Sequence, residues 1–89
     1  MISQTVVIRN KTGIHARPAS VFVKQCAKFQ SSILLRHGDS EINGKSIISV
    51  LSGGLSQGTE VTLVIDGADE ALAMDTLVAL INSGFGEET

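Results

Sequence analysis

Residues 13–19, Gly13-Ile14-His15-Ala16-Arg17-Pro18-Ala19, join two stretches of different periodicity, and this join limits the possible folds more than any other part of the chain. Before it, Thr5-Val6-Val7-Ile8-Arg9 is rich in β-branched residues and reads as a strand, with Ile2, Val6 and Ile8 on one face. After it, Ala19, Phe22, Val23, Cys26 and Ala27 recur at the three-and-four spacing of an amphipathic helix that is expected to run to about Phe29. Pro18, the only proline, suits the first helical turn, where a missing N–H costs nothing because the first donors of a helix have no intrahelical acceptor. The helix therefore begins near Ala16, with His15 at or just before its cap. Asn10-Lys11-Thr12-Gly13 breaks the strand, and Gly13 can take the backbone angles of a sharp entry.

A helix start of this kind is chemically directional. Its unpaired N–H groups and partial positive charge attract phosphate or another anion. His15, at that start, offers a ring nitrogen as a nucleophile. Arg17 can reach the anion with charge-assisted hydrogen bonds. His15, the helix start and Arg17 thus describe a nucleophile, an anion cradle and a counter-charge. A solvated or capping histidine would present the same local pattern, so both readings stand on residue chemistry alone.

The remaining elements follow in order. Ser32-Ile33-Leu34-Leu35-Arg36-His37 reads as a second strand, Gly38-Asp39 as a tight turn, and Glu41-Ile42 as the centre of a short third strand. His37 has no helix start or cationic motif beside it and is given no catalytic role. Ser46 precedes the apolar run Ile47-Ile48-Ser49-Val50-Leu51 and reads as a helix cap, with Gly53-Gly54 ending that helix and Leu55 returning to the core. A last strand spans Thr59 to Asp66, with Val61, Leu63 and Ile65 on one face. Asp69 is expected to cap a final helix that Gly84 stops. Ala73, Met74, Leu77 and Ile81 form its core stripe, while Leu72, Val78 and Leu80 leave it apolar on further sides, an excess that a monomer does not explain. The tail Glu87-Glu88-Thr89 is expected to fray. The order βαββαβα implies a four-stranded antiparallel sheet covered on one face by three helices, an α/β (α+β) sandwich.

Eighty-nine residues suffice for one small domain, residues 1–89, and not for two. A formal net charge of −2 argues against a dedicated nucleic-acid binder. Only three aromatics, all Phe, point to an aliphatic core. The single cysteine, Cys26, lies on the apolar face of the first helix, reads as a small buried hydrophobe and suits a reducing cytoplasm. Met1-Ile2-Ser3-Gln4-Thr5 lacks the features of a signal peptide, and no run approaches the roughly 18 apolar residues of a membrane span. Two histidines without a cysteine set leave no metal site to expect, and no cofactor is implied.

The run from Gly13 to Ala19 resembles the active-site signature of HPr, the histidine-containing phosphocarrier family of the phosphoenolpyruvate-dependent sugar phosphotransferase system. The resemblance continues through Asn43-Gly44-Lys45-Ser46-Ile47 and Gly67-Ala68-Asp69-Glu70 and covers nearly the whole chain. It implies the open-faced sandwich with sheet order 1423, and a stoichiometric carrier rather than an enzyme. His15 would accept a phosphoryl group on Nδ1 from phosphorylated Enzyme I and pass it to IIA domains of sugar permeases, with Ala16 and Arg17 holding the phosphoryl oxygens. Ser46 would be a site of regulatory phosphorylation by an HPr kinase/phosphorylase, creating a form that binds a catabolite-control repressor. Arg17, Lys24 and Lys28 align on the helix stripe opposite the apolar face, with Val21 beside it as an exposed apolar residue, and this face is expected to dock partners with acidic rims. Ile47, Ile48 and Leu51 are implied as further contact residues. Gly53 stands where the family often has a larger residue, which suggests a looser helix end. The expected protein is a cytoplasmic monomer. The rival readings are a regulatory paralogue or nitrogen-system carrier acting mainly through partner binding, and a phosphohydrolase, for which no general base or metal is evident near His15.

Overall fold

Alternating side chains put the apolar residues of each strand on a common face, and a computed structural model describing residues 1–86 shows what that face meets. The elements are β1 (Ile2–Val7), α1 (Ala16–Cys26), β2 (Ser32–His37), β3 (Ser40–Asn43), α2 (Ile47–Ser52), β4 (Glu60–Asp66) and α3 (Glu70–Asn82). The strands form one antiparallel sheet in the order β1-β4-β2-β3, which is the expected 1423 order. The register aligns Val6 with Val61, Leu63 with Leu35, Leu35 with Ile42, and Ile65 with Ile33. All seven are buried against Ala19, Phe22 and Cys26 of α1, Val50 of α2, and Ala73, Met74, Leu77 and Ile81 of α3. The opposite sheet face carries polar pairs around the apolar pair Leu34 and Val64: Thr5 and Thr62 share a hydroxyl hydrogen bond of 3.0 Å, and Arg36 pairs with Glu41 at 2.9 Å.

Several expectations are corrected by packing. The core is not wholly aliphatic, since Phe22 meets Phe85 edge to face with centroids 6.3 Å apart. Helix α1 stops at Cys26, short of Phe29, and Ala27 is exposed rather than part of the core. The chain there tightens into a turn, with Lys28 N–H on the Gln25 carbonyl and Phe29 N–H on that of Cys26. Asp69 precedes α3, but its side chain makes no cap hydrogen bond. It accepts instead from the backbone N–H groups of Gln30 (2.8 Å) and Ser31 (3.0 Å) and from the Ser31 hydroxyl (2.5 Å).

The C-terminus of α3 ends as its glycine predicts. Gly84, at φ 70°, donates to the Ile81 carbonyl, and Phe85 N–H reaches back to Leu80, closing a Schellman pair. Val78 and Leu80 pack against the core, which absorbs most of the apolar excess of this helix and leaves Leu72, 63% exposed, outside it. At Gly53 a Cβ would lie 2.5 Å from Ile42 Cδ1, so its absence lets the buried Ile42 pack against the end of α2. The tail at Glu87, Glu88 and Thr89 lies outside the described residues.

Candidate functional site

The approach to His15 is a tight turn closed from both sides. Gly13 N–H donates to the Asn10 carbonyl at 3.0 Å, and the Asn10 carboxamide returns a hydrogen bond to the Gly13 carbonyl at 2.7 Å. Gly13 sits at φ +66°, and a Cβ there would lie 2.5 Å from the Leu55 carbonyl oxygen and 2.8 Å from Ser56 Cα. Only glycine combines that conformation with so close an approach. Ile14 N–H then binds the Leu55 carbonyl at 2.8 Å, and the Ile14 side chain is buried. The segment leading into α1 is thereby fastened to the chain leaving α2.

His15 is the N-cap residue of α1, in extended conformation at φ −111° and ψ −160°, and its side chain does not cap the helix. Its carbonyl accepts from Ala19 N–H at 2.8 Å. The N–H groups of Ala16 and Arg17 precede the first intrahelical bond, Pro18 has none to offer, and no acidic residue occupies the first turn. His15, Ala16 and Arg17 are exposed, whereas Pro18 and Ala19 are buried and hold the helix start against the core. This arrangement leaves donors and positive partial charge beside the imidazole, suited to an oxyanion.

On α1, Lys24 is exposed, as its shared stripe with Arg17 predicts; Lys28, also exposed, lies beyond the early end of the helix, and Val21 is half-buried rather than exposed. Helix α2 packs beside α1. Ser46 caps α2, its hydroxyl oxygen accepting from Ser49 N–H at 3.2 Å. The Ser49 hydroxyl in turn accepts from Asn43 N–H at 3.0 Å, and Asn43 Oδ1 from Lys45 N–H at 3.0 Å. Val50 points into the core, while Ile47 (38%), Ile48 (74%) and Leu51 (44%) are exposed. The residues singled out from sequence therefore fall on two adjacent helices and their ends.

Two residues near this surface carry roles that local sequence rules did not signal. Asn10 reads only as a turn residue, yet its side chain is buried. Lys45 sends its ammonium to the Phe29 carbonyl at 2.7 Å, beyond the end of α1. Cys26 is wholly buried; burial pushes its thiol up to about 12, with the nearby Lys45 charge opposing, so it is inert. His37 lies at the exposed β2–β3 hairpin. Among the described residues no group of three or more His, Cys, Asp or Glu could hold a metal ion, and no helix is long and apolar enough to cross a membrane.

The fold is an antiparallel open-faced sandwich with an exposed histidine at the N-cap position of its first helix. The family model described as "PTS HPr component phosphorylation site" matches residues 2–83. This chain belongs to the HPr family, the phosphocarriers of the phosphotransferase system that serves sugar transport. It is 42% identical over 87 residues to the phosphocarrier protein HPr of Neisseria meningitidis serogroup A, covering 98% of each chain. It is also 42% identical over 81 residues to the HPr-like protein Crh of Bacillus subtilis, covering 91% of this chain and 95% of that one. The crystal structure of HPr from Thermoanaerobacter tengcongensis superposes with a TM-score of 0.96 at 47% identity, covering all of both chains.

Proposed function

We propose that this protein is a stoichiometric carrier whose His15 takes a phosphoryl group from phosphorylated Enzyme I and yields it to IIA domains of sugar permeases. The observation that carries the reading is the position of His15 as an exposed N-cap beside the open N–H groups of Ala16 and Arg17. In the accepting step the Nδ1 lone pair attacks phosphorus, the bond from phosphorus to the donor atom breaks, and its electron pair remains with the donor. The helix start and the Arg17 guanidinium stabilise the equatorial oxygens during this displacement. Donation is the same step with His15 as leaving group. The N–P bond is labile enough for onward transfer, which a serine ester is not. His15 is thus the site of transfer, and Ser46 the site of regulation by an HPr kinase/phosphorylase. A phosphate on Ser46 suits the start of α2 and adds negative charge to the docking surface, which opposes transfer and offers a handle to a catabolite-control repressor. Partners meet Arg17, Val21, Lys24, Lys28, Ile47, Ile48 and Leu51. The chain acts in the cytoplasm as a monomer.

The likeness to Crh, equal in identity to that with the Neisseria HPr, favours one second reading: a regulatory paralogue or nitrogen-system carrier working mainly by partner binding. Intact mass after incubation with phosphoenolpyruvate and Enzyme I separates them. One acid-labile phosphate mapping to His15, and none on His15→Ala, is the expected result. Label retained by that variant contradicts the site, and no label on the folded wild type leaves the binding module.

A further inference from the structure

We propose that Asn10 is a positioning residue for His15, its carboxamide setting the direction in which the chain delivers the imidazole to the start of α1. The inference rests on the reading of His15 as phosphoryl acceptor. Asn10 is fully buried, at 0% exposure, and five residues upstream of the histidine. A polar side chain taken out of water must find partners, and Asn10 uses its amide protons on the loop itself. Nδ2 donates to the Gly13 carbonyl at 2.7 Å and to the Thr12 hydroxyl at 3.2 Å. The Asn10 backbone carbonyl takes the Gly13 N–H, so one residue holds both polar groups of Gly13, the carbonyl through its side chain and the N–H through its backbone. Beyond Gly13, Ile14 N–H is fixed by the Leu55 carbonyl and the His15 carbonyl by Ala19 N–H. The backbone from Gly13 to the His15 carbonyl is therefore tied at three successive residues. The tie on the Gly13 carbonyl comes from a side chain, that of Asn10.

The consequence is kinetic. Phosphoryl transfer depends on in-line placement of the nucleophile, and a small displacement of a positioned group costs rate without changing where partners bind. Asn10 lies beneath the turn, so its loss is expected to act on turnover rather than on recognition.

The test uses the full chain as substrate of phospho-Enzyme I. Asn10→Asp keeps the size of the side chain, and assayed at a pH where the introduced carboxyl is ionised it cannot donate to the Gly13 carbonyl. Expected is a fall in kcat of about ten- to a hundredfold, with KM within about twofold of wild type, on protein shown by circular dichroism to be folded. Thr12→Val removes one of the two acceptors at an exposed position and is expected to lower kcat in the same direction, with Thr12→Ser restoring it. This pair decides the matter if Asn10→Asp folds poorly. A folded Asn10→Asp with wild-type kcat overturns the proposal and leaves His15 untouched as acceptor. So does a loss that appears in KM alone, or, where Asn10→Asp does not fold, a Thr12→Val variant that transfers like wild type. Failure of the wild type itself to take up phosphate overturns both readings.

Discussion

The carboxylate of Asp69 gathers three donors from a segment 38 and 39 positions earlier in the chain. These hydrogen bonds, the Ser31 hydroxyl foremost and the Gln30 N–H next, hold its carboxyl below the ordinary value of 3.8. A carboxylate with a depressed folded-state value stabilises the fold above its ordinary range, and that contribution disappears as pH falls through the folded value. Replacing Asp69 with Asn should therefore lower Tm near about pH 7, and the gap to wild type should close by about pH 2. Thermal melts of both proteins across that range measure it; a gap independent of pH would show that the carboxylate charge contributes nothing. The same residue marks a limit of local reading. Asp before a helix is a good cap by local rules, but here the side chain turns to a partner far away in sequence, and it holds the segment that follows the early end of α1. That early end was unreadable for the same reason, since the apolar spacing at Ala27 fits a longer helix.

At the scale of elements, the sequence was most legible where a local device acts on its own neighbours. Ser46 caps α2, Pro18 and His15 open α1, and Gly84 closes α3, each within a turn of its partners. Asn10 was legible as a turn residue only; its burial is a property of the folded chain that no spacing rule encodes. Gly53 reads as a weak helix end, and the space it leaves for Ile42 from β3 is legible only in the fold. Helix α2, six residues long, depends strongly on its cap. Ser46→Ala should cost about 1 kcal/mol by urea unfolding, whereas Ser46→Asp keeps an acceptor and suits the helix dipole, so its stability should match wild type. The two substitutions separate structure from regulation. Ser46→Asp should slow phosphorylation by phospho-Enzyme I although it is folded, and Ser46→Ala should not. Equal rates for both variants would speak against Ser46 as a control point.

For the whole molecule, an overall charge of −2 conceals an uneven distribution. Asp66, Asp69 and Glu70 gather around the start of α3, where the Met1 ammonium meets Asp66 at 3.3 Å and Glu70 at 3.1 Å. Arg17 and Lys24 are exposed on α1 and Lys28 just beyond its end, leading away from His15, and α1 has no acidic residue in its first turn. Helix α2, which packs beside α1, exposes Ile47, Ile48 and Leu51. A basic stripe and an apolar patch on neighbouring helices suit a partner whose acidic rim surrounds an apolar centre, with charge governing encounter and burial governing residence. Reversing Lys24 and Lys28 to Glu should therefore lower kcat/KM with phospho-Enzyme I by about tenfold at low salt, through KM, while kcat holds because neither residue touches the imidazole. The deficit should shrink as ionic strength rises, since exposed charges beyond about 10 Å are screened at 0.1 M salt. Steady-state rates at several salt concentrations distinguish the causes: a deficit that persists unchanged at high salt would place these lysines in direct contacts, and no deficit at all would move docking to the α2 patch alone.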